Sequence, residues 1–169
     1  MTDRAVKSLV VVFSYHHKNT EKLARVLAKA LGAEVKNPRD IDPEELREYD
    51  LVGFGSGIDS DRHYKALLDL ADELPRMNQK KAFLFSTCGI PVFAAGERYV
   101  EEYSAKSHSA LREKLISRGY TIIGEYSCAG FNTNSFLGLF GGLNKGRPNA
   151  KDLGRAEEFA REIFEKLAR

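Results

Sequence analysis

A doubly wound α/β domain, with a five-stranded parallel sheet covered by helices on both faces, is the fold class that the sequence predicts. Three observations predict it. Short apolar runs rich in β-branched or aromatic residues alternate with longer stretches whose apolar residues recur at helical spacing. The runs are continuous, as expected of parallel strands buried on both faces. Four of them also end abruptly in small or polar residues. At 169 residues the chain fits one domain that buries about two-thirds of its unfolded surface without disulfides or metals.

Leu9 to Phe13 is the first strand, and Leu23, Val26, Leu27, Ala30 and Leu31 mark the inner face of the helix that follows. Gly32 stands at a helix C-cap, and Ala33 to Val35 supply a short second strand. Asp42, Pro43, Glu44 and Glu45 combine an N-cap, a proline at the first helical position and acidic residues in the first turn. They predict a short helix ending near Tyr49. Leu51 to Phe54 is the third strand. Leu67, Leu68, Ala71 and Leu74 line a helix stopped by Pro75, and Ala82 to Ser86 is the fourth strand. Glu97 to Arg118 places Val100, Tyr103, Leu111 and Leu115 at near-helical spacing, closed by Gly119, and Thr121 to Tyr126 is the fifth strand. Asp152 to Leu167 is the last helix, with Leu153, Ala156, Phe159, Ala160, Ile163 and Leu167 inward. No repeat, low-complexity tract or linker divides the chain, so residues 1–169 read as a single domain.

Composition narrows the function classes. Twenty-six Lys and Arg against 24 Asp and Glu give a net charge of +2, so no global field points to nucleic acid or an anionic membrane. The stretch Met1 to Ser8 is too charged for a signal peptide, and no apolar run approaches the roughly 18 residues of a membrane span. A cytoplasmic protein is the expectation. Cys88 and Cys128 are far apart, with no C-x-x-C spacing, and form neither a disulfide framework nor a metal site by themselves.

In doubly wound sheets ligands bind outside the carboxyl ends of the strands, at the switch point where the helices change face. After the first strand comes Ser14-Tyr15-His16-His17-Lys18-Asn19-Thr20, directly before a helix. Free N–H groups of the helix N-terminus, the hydroxyls of Ser14 and Thr20 and the Asn19 amide make a phosphate cradle; a plain N-cap by Asn19 or Thr20 is the alternative. After the third strand comes Gly53-Phe54-Gly55-Ser56-Gly57-Ile58-Asp59. It reads either as a turn or as a surface that a flat ring can approach, with Gly57 free to flip a peptide. It is no dinucleotide fingerprint, because Ile58 replaces the third glycine and the segment follows the third strand. Ser86-Thr87-Cys88-Gly89-Ile90-Pro91-Val92-Phe93 and Ser127-Cys128-Ala129-Gly130-Phe131-Asn132-Thr133 repeat the pattern after strands four and five.

The segments F-S-Y-H-H-K-N-T-E-K-L-A, G-F-G-S-G-I, F-S-T-C-G, S-C-A-G-F and G-R-P-N together resemble the flavodoxin-like family of FMN proteins over nearly the whole chain. The resemblance implies the strand order 2-1-3-4-5, with FMN phosphate in the first loop and the isoalloxazine ring between the third- and fourth-strand loops. Carried over by position, Ser14, His16, His17, Lys18, Asn19 and Thr20 hold the phosphate. Ser56, Gly57, Ile58, Ser86, Thr87, Cys88 and Gly89 flank the ring. Three features depart from the family pattern. Lys18 replaces the usual glycine, and His16 and His17 stand where small hydroxyl residues are common. The stacking aromatic is absent at Ile58 and Asp59, which leaves Tyr64 or Phe93 as covers. The chain also lacks the strong acidity of typical flavodoxins.

Other features have plainer readings. Adjacent histidines in a loop are commonly just solvated, and one of His16 and His17 is expected to contact phosphate. His63 and His108 are assigned no role. Cys88 and Cys128 sit on neighbouring strands, either as a flavin-linked redox pair or as two buried thiols. Ser135 to Arg147 carries Phe136, Leu137, Leu139, Phe140 and Leu143 among glycines, too many for a stable helix. It either packs on its own domain or covers the flavin edge and offers a partner surface. The resemblance implies an electron carrier for redox partner proteins, monomeric or homodimeric, in which FMN performs the chemistry and no residue acts as acid or base. The alternative is an FMN-dependent NAD(P)H:quinone or related oxidoreductase. A phosphorylated receiver module is excluded, since acidic residues at the ends of strands one and three are missing.

Overall fold

The computed structural model describes residues 6–167. Met1 to Ala5, most of the charged N-terminal stretch, lie outside the described residues. Strands β1 (Ser8–Phe13), β2 (Glu34–Lys36), β3 (Leu51–Asp59), β5 (Lys80–Cys88) and β6 (Tyr120–Ala129) pair in parallel in the order β2-β1-β3-β5-β6. This is the order anticipated for five strands. The numbering shifts because β4 (Arg62–His63) is inserted, pairing antiparallel with the end of β3.

Side-chain alternation along the strands divides the interior into two cores. Leu9, Val11, Val52, Phe54, Ala82 and Leu84 face one side, where Leu67, Leu68, Leu70 and Ala71 of α2 (Lys65–Glu73) and Leu111 and Leu115 of α5 (Ser109–Ser117) cover them. Val10, Val12, Phe83 and Phe85 face the other, under Leu23, Leu27 and Leu31 of α1 (Asn19–Leu31) and Phe159 and Ile163 of α6 (Ala150–Leu167). Burying each such side chain fully contributes about 1.5–3 kcal/mol. Gly32, at φ 60°, closes α1 by donating its N–H to the Ala28 carbonyl. Asn149 and Asp152 cap the start of α6 reciprocally, each backbone N–H donating to the other's side chain at 2.8 and 3.0 Å.

The third strand does not stop at Phe54. It runs on through the glycines to Asp59, because Gly53 and Gly55 lie directly beside Phe83 and Phe85 of β5, and a Cβ on either glycine would overlap the facing ring. The small residues are therefore sockets for aromatic rings within the sheet, and Gly57 and Ile58 sit in strand rather than in loop. The segment after Asp42 folds as a 3-10 turn, Pro43–Glu48, instead of an α-helix, with the Asp42 side chain capping the Glu44 N–H at 3.0 Å. Six residues give too few hydrogen bonds to favour the α form. The expected long helix over Glu97–Arg118 is two, α4 (Glu97–Ser107) and α5, which break at His108 where that ring turns inward. A short helix α3 (Val92–Ala95) precedes them, and a 3-10 turn, Ser135–Phe140, follows β6.

The Gly55 socket generates a stability prediction. Gly55→Ala should lower unfolding free energy by about 1–3 kcal/mol, the usual cost of overpacking, measured by urea denaturation. A loss below about 0.5 kcal/mol would show that Phe85 yields freely.

Candidate functional site

At the carboxyl edge of the sheet the loops after β1, β3, β5 and β6 converge on one cleft. Ser14, Tyr15, His16, Asn19 and Thr20 line it from the first loop, Gly57, Ile58 and Tyr64 from the third strand and its hairpin, and Thr87, Cys88 and Gly89 from β5. Gly130, Phe131, Asn132 and Asn134 complete it from the loop after β6. Nine of the fourteen residues singled out in the sequence line this cleft: Ser14, His16, Asn19, Thr20, Gly57, Ile58, Thr87, Cys88 and Gly89. The Thr20 and Thr87 hydroxyls share a hydrogen bond of 2.8 Å, which ties the start of α1 to the end of β5.

The first loop is bent by two consecutive residues in the left-handed region, His17 at φ 51° and Lys18 at φ 53°. Lys18 is the N-cap of α1 and makes no side-chain cap bond. The helix therefore begins at Asn19, without the plain side-chain cap that was the alternative reading of Asn19 or Thr20, and the free N–H groups and partial positive charge of its N-terminus lie at the cleft wall. Asn19 donates through Nδ2 to the Phe131 carbonyl at 2.8 Å, while its buried Oδ1 has no hydrogen-bond partner among the described residues. His17 bonds Thr133 Oγ1 at 2.7 Å and packs on the Phe131 ring. Lys18 extends its ammonium outward, 3.9 Å from Glu21. Of His16, His17 and Lys18, His16 alone lines the cleft.

The remaining singled-out residues lie elsewhere. Phe93 sits on α3 and is 83 % exposed, outside the cleft wall, whereas Tyr64 stands in it. Ser56 and Ser86 are wholly buried beneath the loops. Cys88 and Cys128 are both free thiols. Alternation turns them to opposite faces of the sheet, since Cys128 is level with Thr87 and belongs to the core under α1 and α6, while Cys88 approaches Ser104 of α4. Burial pushes both thiols up from their ordinary range. A disulfide between them does not fit this arrangement.

Sequence reasoning assigned His63 and His108 no role, yet they form the centre of a buried polar network. Each is 1 % exposed, and their rings stack at 4.8 Å between centroids. His63 Nδ1 meets Ser56 Oγ at 2.8 Å, and Ser56 Oγ also accepts the Tyr64 N–H at 3.0 Å and donates to the Gly57 carbonyl at 2.8 Å. His108 bonds Ser86 Oγ through Nε2 at 2.8 Å and Glu125 through Nδ1 at 2.9 Å, and Arg112 clamps Glu125 with two nitrogens. The signal in the sequence was parity: Ser56 and Ser86 occupy strand positions whose side chains must be buried, so each needed a buried polar partner. Burial holds the His63 imidazole well below its ordinary 6.5, and the neighbouring His108 reinforces this. Burial alone would raise Glu125, but hydrogen bonds from His108 and Arg112 hold it down at about 2.

Two measurements follow from this geometry. A neutral His63 is favoured only in the folded protein, so its contribution is complete above pH 6.5 and falls away as pH drops below it. Glu125 adds a contribution complete above its ordinary 4.5 and lost as pH falls toward about 2. Urea denaturation should show stability declining in both windows, and His63→Gln should flatten the upper one; a wild-type curve already flat from pH 7 to 5 would contradict the assignment. Lys18→Gly should raise stability by about 1 kcal/mol by relieving the left-handed backbone, and destabilisation would show that the lysine side chain holds the loop.

No family model matches the chain. An uncharacterized protein of Methanocaldococcus jannaschii is 42 % identical over 159 residues, covering 94 % of this chain and 99 % of that one. Flavodoxin 1 of Escherichia coli K12 is 27 % identical over 168 residues, covering 93 % of both. Among solved structures, a flavodoxin of Streptococcus pneumoniae superposes with a TM-score of 0.66 at 18 % identity, covering 94 % of this chain and 99 % of that one. A Fusobacterium nucleatum flavodoxin bound to flavin mononucleotide superposes at 0.64 and 14 % identity, covering 95 % and 99 %. With the strand order, the converging loops and full-length similarity in agreement, the chain has a flavodoxin-like fold and is similar over nearly its whole length to flavodoxins.

Proposed function

We propose that this protein binds one FMN in the cleft at the carboxyl edge of its sheet and serves as an electron carrier. The observation that carries the reading is the convergence of four strand-end loops on a single cleft with two chemically different ends. One end has the start of α1, Ser14 and His16, which together offer backbone donors, a hydroxyl and an imidazole to a phosphate. At the other end Gly57, Ile58, Thr87 and Gly89 leave a slot bounded by Tyr64.

Three features of the walls fit FMN. The unpartnered Asn19 Oδ1 is an acceptor of the kind a sugar-chain hydroxyl satisfies. A Cβ at Gly57 would stand 2.9 Å from the Tyr64 ring, and one at Gly130 would stand 2.8 Å from Asn19 Nδ2, so the slot depends on both glycines. FMN supplies the electron chemistry when bound; the protein orients it and sets access. Ser14, His16 and the α1 N-terminus hold the phosphate, Asn19 is fixed by Phe131, and Tyr64 covers the ring slot. Phe93, Phe136, Leu139 and Phe140 are exposed on two loops that Asn144 ties together through bonds to Val92, Ile90 and Gly130. An exposed apolar surface next to the cleft suits transient docking of a redox partner protein.

The purified protein, or the protein reconstituted with FMN, should show flavin absorption and should be reduced by dithionite. Mixing with NAD(P)H alone should leave the flavin oxidised; rapid bleaching would favour the oxidoreductase alternative, and failure to bind added FMN would refute the cofactor assignment. Gly130→Ala should raise the FMN Kd at least about tenfold, about 1.4 kcal/mol, by displacing Asn19. Unchanged affinity would remove Asn19 from the site.

A further inference from the structure

The His63–His108 network lies on the face of the sheet under α4 and α5, at the level of Ser56 and Ser86. Each serine directly precedes a cleft residue, Gly57 or Thr87. The network is therefore the floor of the two loops assigned to the flavin ring.

Donor and acceptor counting fixes most of its protons. Ser56 Oγ has one hydrogen, given to the Gly57 carbonyl, so it accepts from both the Tyr64 N–H and His63 Nδ1–H. His63 Nε2 is then a bare nitrogen, buried without a hydrogen-bond partner among the described residues. Glu125 is ionised, so His108 Nδ1–H donates to it. His108 Nε2 differs from the others, because its partner, the Ser86 hydroxyl, can donate to a neutral ring or accept from a charged one. His108 can thus gain a proton without losing a hydrogen bond.

The charges around the pair balance. On the side of His108, the cleft formed with α4 and β6 presents Glu101, Glu125 and Tyr126; Arg112 of α5 pairs with Glu125, and Arg155 of α6 pairs with Glu101. Cys88, on β5, contributes a thiol that burial keeps protonated. On the side of His63, the cleft between β4, α2 and α5 presents Asp59, Arg62, Tyr64, Lys65, Asp69, Asp72 and Lys114, three acids against three bases. With the fixed charges cancelling, a charge placed in the ring loops decides whether the pair holds a proton.

We propose that the stacked His63–His108 pair is a one-proton site coupled to the ring-binding loops, His108 taking a proton from solvent when bound FMN is reduced, and His63 acting as the positioning residue that ties the pair to the Gly57 carbonyl. The inference rests on the FMN reading. Full reduction by dithionite transfers two electrons from dithionite, which is oxidised to sulfite. With one proton taken by the flavin, one negative charge remains in the loops, and a second solvent proton balances it by forming the Nε2–H bond of His108. Ser86 then turns from donor to acceptor. His63 keeps its Nδ1–H on Ser56 throughout.

The test is a pH titration of ¹⁵N-labelled histidine resonances in the FMN-loaded protein, oxidised and dithionite-reduced. The His108 midpoint should rise by about one pH unit on reduction, the size expected of a nearby unit charge at an effective dielectric near 20. His108→Gln should abolish that titration and the matching inflection in the pH dependence of the flavin potential. His63→Gln should move the Ile58 amide resonance, reporting release of the Gly57 carbonyl, while the His108 shift on reduction persists. Identical His108 titrations in the two redox states of the wild type would overturn the proposal while leaving FMN binding intact. Absence of flavin absorption after reconstitution would overturn both readings.

Discussion

The fit of Phe83 and Phe85 of β5 against the bare backbone of Gly53 and Gly55 of β3 is the contact on which the rest of this structure depends. Strand register is a discrete choice, and a slip by one residue would send each buried side chain to the opposite face. Two aromatic rings seated over two glycines make that choice unambiguous at the centre of the sheet. With the rings in place, Ser56 stands level with Ser86 and Gly57 with Thr87. The same register thus builds the apolar core below, the polar floor at the serines and the slot above them.

The carboxyl edge is held by side chains that reach between elements distant in sequence. Thr20 bonds Thr87, Asn19 bonds Phe131, His17 bonds Thr133, and Asn144 fastens the last loop to Ile90, Val92 and Gly130. Each bond is modest, of order 1 kcal/mol. Together they fix the relative positions of four loops, and a cleft formed in this way exists before any ligand enters. Preformed geometry of this sort lowers the ordering cost of binding, and an electron carrier benefits because a rigid surround lets oxidation states interconvert with little rearrangement.

Much of the fold was legible because parallel strands covered on both faces leave an unmistakable record of continuous apolar runs, such as Leu9 to Phe13 and Ala82 to Phe85. The strand order was implied by the family resemblance, and the position of the cleft by the doubly wound architecture. What escaped was long-range complementarity. The glycines of β3 read as a turn or as a surface for a flat ring because their partners, Phe83 and Phe85, lie some thirty residues away in the sequence. His108 fell within a helical apolar pattern, and only its bonds to Ser86 and Glu125 explain why the helix breaks there. Placement within the first loop was legible only in part, since residue type does not reveal which side chains turn inward: His16 enters the cleft, His17 braces the neighbouring loop, and Lys18 contributes a backbone bend.

The FMN reading requires the cleft to discriminate between two flavins that differ in the phosphate alone. The direct measurement is titration of flavin-free protein with FMN and, separately, with riboflavin, which lacks the phosphate, following quenching of flavin fluorescence. FMN should bind at least about a hundredfold tighter, roughly 2.7 kcal/mol, because the start of α1, Ser14 and His16 would meet the phosphate. Equal affinities would contradict a phosphate seat in the loop Ser14 to Thr20.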